Sequence, residues 1–168
     1  MIIEKAKKED YTSIYNISKE LNVKYNPNKE NGVLLRIIPK DFIKENIENF
    51  IVARIDEDIV GFLWFSTEYP VDMLAHTKTK DDIDNCIYCE QIAVKKRFHG
   101  QCIGKELYGF LKNIFKEKGI IVFVNTAPEK NKASLAFHTS IGFNIVGEFY
   151  MEDFCGFKEY KASLLKLK

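Results

Sequence analysis

The sequence lacks the long apolar segments and the charge excess that mark whole classes of proteins. No apolar run approaches the roughly 20 residues that a membrane-spanning helix needs. The first ten residues, MIIEKAKKED, become charged too early for the apolar core of a signal peptide. Lys and Arg number 25 against 24 Asp and Glu, which gives a formal net charge of +1. These absences predict a cytoplasmic protein and give no indication of a nucleic-acid or membrane partner.

Cysteine and histidine, the common ligands of transition metals, are also scarce. The chain has four Cys and three His, and Cys86 and Cys89 form a C-x-x-C. Both lie in a strand-like run, CIYCEQIAV, in which residues three apart point to opposite faces. No second cysteine pair has ligand spacing, and the histidines are scattered. We therefore predict buried strand cysteines and no metal site.

The chain does have the composition of a folded protein of moderate size. Its 168 residues are 46% hydrophobic and 13% aromatic, which predicts one domain, residues 1–168, with a sizeable core. There is no internal repeat, low-complexity tract or stretch of linker composition.

Strand and helix patterns alternate along the chain. Patterns typical of strands cover residues 2–6, 49–55, 59–65, 86–94, 120–125, 143–154 and 156–167. Helical spacing and its start and stop signals predict helices within residues 9–22, 39–49, 103–119 and 131–142. An irregular segment runs from Val23 to Ile38, with Pro27 and Gly32 as breakers, and a long polar connection runs from Ser66 to Asn85. The order predicts an α/β (α+β) fold with a central mixed sheet of about seven strands flanked by about four helices, including at least one parallel crossover.

One loop in this order, HGQCIG at residues 99–104, has the form of an anion site. It joins an apolar strand to a helix, whose first N–H groups lack partners within the helix and lie at the positive end of its dipole. Gly100 and Gly104 would leave room for a ligand or a strand close to the backbone. A tight strand-to-helix connection needs the same residues, so the loop alone leaves both interpretations open. It is neither a P-loop nor a dinucleotide-binding fingerprint.

The residues around this loop favour the anion site. The segment EQIAVKKRFHGQCIGKELYGFL resembles the acetyl-CoA-binding motif of the GNAT superfamily of N-acetyltransferases, R/Q-x-x-G-x-G/A after an apolar strand. His99 stands at the Arg/Gln position and Cys102 at the first listed Gly. Further on, NKASLAFHTSIGF resembles the second family motif, N-x-x-A-x-x-F-Y-x-x-x-G-F, with Ser134 replacing Ala and His138 replacing Tyr. The resemblance covers most of the chain and implies a single-domain GNAT fold.

The resemblance also implies which residues hold coenzyme A. The backbone of Ile92, Ala93 and Val94 would pair with the pantetheine arm. The pyrophosphate would lie on the amides of His99, Gly100, Gln101, Cys102, Ile103, Gly104 and Lys105. The second motif would add Asn131, Ser134 and Phe137. Because the backbone makes the loop contacts, Cys102 can serve there if its φ is negative.

Four cations flank the loop in the sequence: Lys95, Lys96, Arg97 and Lys105. They would add positive charge around the pyrophosphate, or they form an ordinary solvated surface.

Acetyl transfer to an amine requires two proton transfers. An alkylammonium with a pKa near ~10 must lose a proton, and the departing thiolate, with a pKa near ~8.5, must be protonated or stabilised. The resemblance implies that Glu90 is the base, since it lies two residues before Ile92 on the same strand face. Tyr88, on that face, is a weaker candidate. A salt-bridged or solvent-facing glutamate is the structural alternative.

The acid implied by the resemblance is His138, which stands where most of the family has the tyrosine that protonates the thiolate. An imidazole has an ordinary pKa near ~6.5 and can take that role. The alternative is a histidine that only packs on its helix. His76 and His99 have no partner nearby in the sequence, and we assign them no chemistry.

The sequence says less about the amine acceptor than about the cofactor. The connection 66–85 carries five acidic residues, Glu68, Asp72, Asp81, Asp82 and Asp84. An acidic wall would favour a cationic amine, but Lys78 and Lys80 weaken this signal, and solvated loop charges remain the alternative.

The sequence as a whole predicts an acetyl-CoA-dependent N-acetyltransferase that acts on a primary amine of a small molecule or peptide. Two alternatives remain open, an acyl donor other than acetyl-CoA and a catalytically silent domain that binds coenzyme A as a sensor or interaction module. A homodimer is compatible with the sequence.

Overall fold

A computed structural model of the protein describes residues 1–26, 32–68 and 71–168. The predicted breaker Pro27 lies outside the described residues. By its contacts the described chain forms two compact units. The first contains residues 1–26, 34–65 and 90–116, and the second contains residues 32–33, 66–68, 71–89 and 117–168.

The first unit begins with an antiparallel arrangement of three strands, β1 (Ile2–Lys5), β2 (Phe50–Ile55) and β3 (Asp58–Ser66). The sheet order continues from β3 to β5 (Cys86–Val94). Its helices are α1 (Tyr11–Glu20), α2 (Lys40–Glu45) and α4 (Ile103–Ile114). The turn between β2 and β3 contains Asp56 at a φ of 51°, a conformation that suits a tight hairpin.

The core of the first unit packs α1 and α2 against the strands. Ile14 and Ile17 on α1, and Leu21 directly after it, recur at helical spacing and are buried together with Phe50 and Phe62 of the sheet. The apolar stripe of the helix therefore covers one sheet face, as its sequence pattern predicts.

The second unit contains the remaining strands and helices. They are α3 (Val71–Ala75), β4 (Thr77–Thr79), β6 (Gly119–Ala127), α5 (Lys132–Ser140), β7 (Asn144–Phe154) and β8 (Phe157–Leu167). The first residues of β5 pair with β6 in parallel, and the order then runs β6-β8-β7-β4 through antiparallel pairs. The crossover from β5 through α4 to β6 confirms the predicted parallel connection.

The mixed-sheet fold class is confirmed, with a small difference in the count of elements. The described residues contain eight strands and five α-helices, where the sequence predicts about seven and about four. The additional elements, α3 and β4, lie in the segment 66–85, which the sequence predicts as a polar connection. Both are short, and β4 is held by backbone pairing of Thr77–Thr79 with β7, a contact that local periodicity does not reveal.

The described part of the chain contains neither a cluster of metal ligands nor a helix suited to cross a membrane. Cys86 and Cys89 are buried in β5, and none of the four cysteines forms a disulfide. Among the described residues there is no group of three or more side chains that could hold a metal ion. The helices described are all too short or too polar to cross a membrane.

Candidate functional site

The strand β5 carries the predicted base. Its side chains alternate between two faces, so Tyr88, Glu90 and Ile92 point the same way. Glu90 is half-buried, and this burial raises its pKa from 4.5 to about 7, while the positive charge of Arg36 acts in the opposite direction. A carboxyl group with this pKa exchanges a proton near neutral pH, which is the property that a general base requires.

The backbone of β5 changes its pairing beside Glu90. Parallel pairing with β6 begins at Cys86 and ends at the register pair Cys89↔Val122. Beyond that pair, in the described residues, Glu90–Val94 have no strand registered on that edge. The peptide groups of this segment that point to that edge are therefore available to an extended ligand that can exchange backbone hydrogen bonds with a strand.

The other edge of the same segment is closely packed. The Lys95 amide donates to the Val60 carbonyl at 2.8 Å, and Gly61 of β3 lies against the backbone of β5. A Cβ at Gly61 would come within 2.9 Å of the Ala93 carbonyl oxygen. This position therefore requires glycine, and the end of β5 is held rigidly from one side.

The loop that follows β5 turns sharply into α4. Gly100 has a φ of 78°, and a Cβ built there would meet nothing within 4 Å, so its conformation rather than crowding favours glycine. The His99 Nε2–H donates to the Val94 carbonyl at 2.8 Å, which ties the loop to the strand. The sequence assigns His99 no partner, because the acceptor is a backbone group that no side-chain pattern marks.

Cys102, immediately before α4, does not meet the condition that the sequence analysis sets for it. Its φ is 60° and its ψ is 7°, not the negative φ with which it could serve in the loop. A left-handed residue here explains the glycine in the family motif, because glycine adopts this region without strain. In this chain a cysteine adopts the left-handed conformation at that position. The turn leads into α4, a helix of twelve residues whose first amides have no partner within the helix.

Two of the four cations around the loop are engaged within the first unit. Lys96 donates to Asn26, a buried amide that also donates to the carbonyls of Glu20 and Asn22 at 2.9 Å each. Arg97 pairs with Asp58 at 3.0 Å, both side chains being exposed. The sequence pattern overstates the charge available to a phosphate at these two positions.

The second unit carries the other predicted residues on α5 and at its start. Asn131 is buried, and its Oδ1 accepts the Ser134 amide at 3.1 Å, while its Nδ2 donates to the Val33 carbonyl at 3.1 Å. This is an N-cap, which satisfies an amide that the helix leaves unpaired. Asn131 therefore fixes the start of α5, and Phe137, further along this helix, is half-buried.

His138 is 1% exposed and packs edge-on against Phe137 and Phe143, at ring-centroid distances of 5.0 and 5.2 Å. Its Nδ1 lies 2.7 Å from the Ser134 carbonyl oxygen, so this nitrogen carries a hydrogen and donates it. Burial lowers the pKa of His138 from 6.5 to about 4, although the bond to Ser134 acts in the opposite direction. The imidazole is therefore neutral at pH 7.

Tyr88, the weaker candidate, is also largely inside the core of the second unit. Its side chain is 6% exposed, its ring stands edge-on to Phe123 at 5.8 Å, and its hydroxyl lies 3.8 Å from the Met73 sulfur. A thioether is a weak acceptor.

The structure brings together two groups of predicted residues, one in each unit. Glu90, the end of β5 and the loop 99–105 follow one another in the first unit, and Asn131, Ser134, Phe137 and His138 share α5 or its cap in the second. Sequence reasoning missed Arg36 and Gln91. Gln91 Nε2 donates to the Arg36 carbonyl at 3.2 Å, a contact across 55 residues of sequence that no local pattern signals.

Comparisons with known proteins place this geometry in a family. A model described as the acetyltransferase (GNAT) family matches residues 4–143. The chain belongs to the GNAT acetyltransferase family. No curated protein matches it.

Solved structures share the GNAT fold along the full chain. A Streptococcus mutans protein aligns with a TM-score of 0.72 and 21% identity, covering 100% of this chain and 99% of that one. A putative acetyltransferase from Salmonella typhimurium, solved with its cofactor acetyl-CoA, gives 0.70 and 16%, covering 100% and 93%. A ribosomal-protein-alanine N-acetyltransferase from Brucella melitensis gives 0.68 and 19%, covering 99% of both chains. At these identities the likeness shows a shared fold.

Proposed function

We propose that this protein is an acetyl-CoA-dependent N-acetyltransferase that acylates a primary amine of a small molecule or peptide. The observation that carries the proposal is the end of β5, where a strand edge without a registered partner runs from Glu90 to Val94 and leads into the loop before α4. Family membership supports acetyl transfer in general. The residues and the acceptor class are our inference.

The residues present suit coenzyme A. Peptide groups of Ile92, Ala93 and Val94 would pair with the amides of the pantetheine arm, since an extended diamide can add to a strand edge. The amides from His99 to Lys105 lie in a tight turn that opens a long helix, and the helix dipole favours a pyrophosphate there. The bond from His99 to the Val94 carbonyl holds these two parts of the site in one geometry.

Glu90 supplies the base in this proposal. An ammonium with a pKa near ~10 is mostly protonated at neutral pH and must give up a proton before its nitrogen can attack. With a pKa raised to about 7, Glu90 is partly ionised at pH 7 and has more proton affinity than an ordinary carboxylate. The amine proton passes to a Glu90 carboxylate oxygen, directly or through one water, and the acetyl group moves from sulfur to nitrogen.

His138 is the proposed donor to the departing thiolate, and the structure attaches a condition to that role. With its pKa lowered to about 4, very little of the ring carries both protons at pH 7. The hydrogen on Nδ1 is donated to Ser134. Transfer from His138 therefore requires either a shift of its Nδ1–H away from Ser134 or uptake of a second proton at Nε2.

This condition favours a specific second candidate, a domain that binds coenzyme A without catalysing transfer. Such a module needs the strand edge and the loop but not a protonated histidine. A domain that only binds coenzyme A would not need the raised pKa of Glu90, and we therefore prefer the enzyme.

Cofactor binding is tested by calorimetry with acetyl-CoA. Gly104 lies in the first turn of α4, and Gly104→Val should abolish binding because its side chain stands at the predicted pyrophosphate site. Gly109→Val is the matched control, since this glycine lies on the same helix and a Cβ there meets nothing within 4 Å. Equal affinities in the two variants would show that the loop does not bind the cofactor.

Catalysis is tested by release of free thiol from acetyl-CoA in the presence of a panel of amines, including small polyamines, amino acids and peptide N-termini. A thiol signal that depends on the amine supports the enzyme. Tight acetyl-CoA binding with no release for any amine supports the silent module. Replacing the acetyl donor with propionyl and succinyl thioesters in the same assay defines the acyl group.

A further inference from the structure

The hydrogen-bonding groups of Val94, the last residue of β5, point to the edge that lacks a registered strand in the described part of the chain. The Lys95 amide donates to the Val60 carbonyl of β3, and in a planar trans peptide group the Val94 carbonyl points the opposite way. The Ala93 carbonyl faces β3, since a Cβ at Gly61 would come within 2.9 Å of its oxygen. The Val94 amide, in the same peptide group, therefore also points away from β3.

The carbonyl of Val94 is already bonded to a side chain of the loop that follows. The His99 Nε2–H donates to it at 2.8 Å. Because a carbonyl only accepts, this nitrogen carries a hydrogen, in the neutral ring and in the protonated ring alike. His99 thus lies at the end of the edge, where a paired strand would place an amide. An extended ligand on this edge can pair with the Val94 amide, but it meets the imidazole at the carbonyl.

The same side chain holds a turn that is open to solvent. His99, Gly100, Gln101 and Cys102 are all exposed, and a Cβ at Gly100 would meet nothing within 4 Å. The backbone enters the turn through a bond from the His99 amide to the Lys96 carbonyl at 3.1 Å. The imidazole then reaches back to β5. One residue therefore fixes both the start of the turn and its distance from the strand.

We propose that His99 is a positioning residue for coenzyme A, which ends the strand edge used by the pantetheine arm and sets that edge against the amides that hold the pyrophosphate. This role rests on the proposed function, because it requires that the strand and the loop bind one ligand. A ligand that spans both parts gains affinity when their separation is fixed before it binds, since less conformational freedom is lost on binding. The imidazole acts through the protein's own backbone and not through a contact with the cofactor.

Fragments of the cofactor distinguish positioning from direct binding. ADP carries the pyrophosphate, and S-acetylpantetheine carries the arm and the thioester. His99→Phe keeps a ring but has no donor, so the loop and the strand keep their binding groups and lose their fixed separation. We expect acetyl-CoA to bind this variant about three- to tenfold more weakly, the loss typical of one hydrogen bond. Each fragment alone should keep its wild-type affinity.

A conservative variant and a matched control complete the test. His99→Gln places an amide nitrogen as many bonds from Cβ as the histidine Nε2, so it can donate to the Val94 carbonyl and should restore most of the acetyl-CoA affinity. His76→Phe removes an exposed histidine of the second unit and should leave these affinities unchanged. Calorimetry measures acetyl-CoA, and NMR titration of the full chain measures the weaker binding of the fragments.

The outcomes decide the two proposals separately. An unchanged acetyl-CoA affinity in His99→Phe would overturn the role of His99. A fragment affinity that falls as much as that of acetyl-CoA would overturn it too, because His99 would then only shape one part of the site. Failure of the wild-type protein to bind acetyl-CoA would overturn the proposed function together with the role of His99. Binding without amine-dependent thiol release would overturn the enzyme and leave the role of His99 intact.

Discussion

Glu90 on β5 and His138 on α5 are assigned to the same reaction by the sequence, but their surroundings affect them differently. Burial drives each toward its neutral form, raising the pKa of Glu90 to about 7 and lowering that of His138 to about 4. The same cause has opposite chemical consequences. A carboxylate with a higher pKa is a stronger base, whereas a histidine with a lower pKa carries no second proton to donate.

The comparison shows that a motif position does not fix a protonation state. Glu90 lies in the middle of β5, just beyond the residues that pair with β6, and its burial is incomplete. His138 lies on the inner side of a helix between Phe137 and Phe143, with its Nδ1–H already donated to Ser134. The structure therefore gives more support to the proposed base than to the proposed acid.

Removing the carboxylate should produce the largest effect. Glu90→Gln keeps the shape of the side chain, and we expect turnover at pH 7 to fall about 10²- to 10⁴-fold, the usual loss for a general base. The rate should recover at alkaline pH, where the amine is already deprotonated. A pH profile of thiol release measures both. The exposed turn residue Glu57 provides the control Glu57→Gln, and a wild-type profile in Glu90→Gln would assign Glu90 to structure.

Replacing the histidine tests the other side of the comparison. His138→Ala should destabilise the fold by about 2–4 kcal/mol, because it empties space between two aromatic rings, as measured by chemical denaturation. If His138 is the acid, the variant also loses turnover with little change in acetyl-CoA affinity, and His138→Tyr restores much of the rate.

His138→Phe separates packing from chemistry, since it fills the space without a nitrogen. Full turnover in this variant, under conditions where chemistry limits the rate, would make His138 a packing residue. The thiolate would then leave without help from His138, and Tyr88 would be the next side chain to replace.

The pH dependence of stability should differ in sign between the two groups. The folded protein binds more protons than the unfolded chain at Glu90 between pH 4.5 and about 7, so this group lowers stability as pH rises through that window. At His138 the folded protein binds fewer protons between about pH 4 and 6.5, so stability falls as pH decreases through that window. Each effect is on the order of 1–3 kcal/mol, allowing for partial exposure of Glu90.

Urea denaturation between pH 4 and 8 resolves these contributions. Relative to wild type, Glu90→Gln should gain stability above pH 7, and His138→Phe should lose less stability below pH 6. Parallel curves for the wild type and a variant would mean that the replaced residue does not have the shifted pKa.

The smallest effect concerns backbone strain at the loop. Cys102→Gly removes a side chain from a residue with a φ of 60°, and we expect stability to rise by about 0.5–1 kcal/mol, after the greater chain entropy of glycine is deducted. Thermal denaturation measures it. Cys155→Gly is matched, because Cys155 is also exposed with a φ of 54°; it should give a similar gain, but only Cys102→Gly is expected to change acetyl-CoA affinity. A lower stability of Cys102→Gly than of the wild type would show that the side chain of Cys102 does not strain the backbone.

The sequence by itself determined the order of the longer elements, the family and the position of the loop 99–104, because these depend on local periodicity and on short motifs of backbone-shaping residues. It could not reveal α3 and β4, since a five-residue helix and a three-residue strand have too few residues to show a period, and β4 exists through its pairing with β7. The left-handed turn at Cys102 was likewise hidden, because glycine, the usual signal of that conformation, is absent there.

Only the tertiary structure decided the protonation of the candidate catalytic residues. The pKa of a side chain depends on its burial and on charges brought near it by the fold, and both come from residues distant in sequence. The charge of Arg36, which is far from Glu90 in the sequence, lowers the pKa of Glu90 against the larger effect of burial. His138 is neutral because packing removes it from water. The four-residue spacing between Ser134 and His138 in the sequence does not reveal this burial.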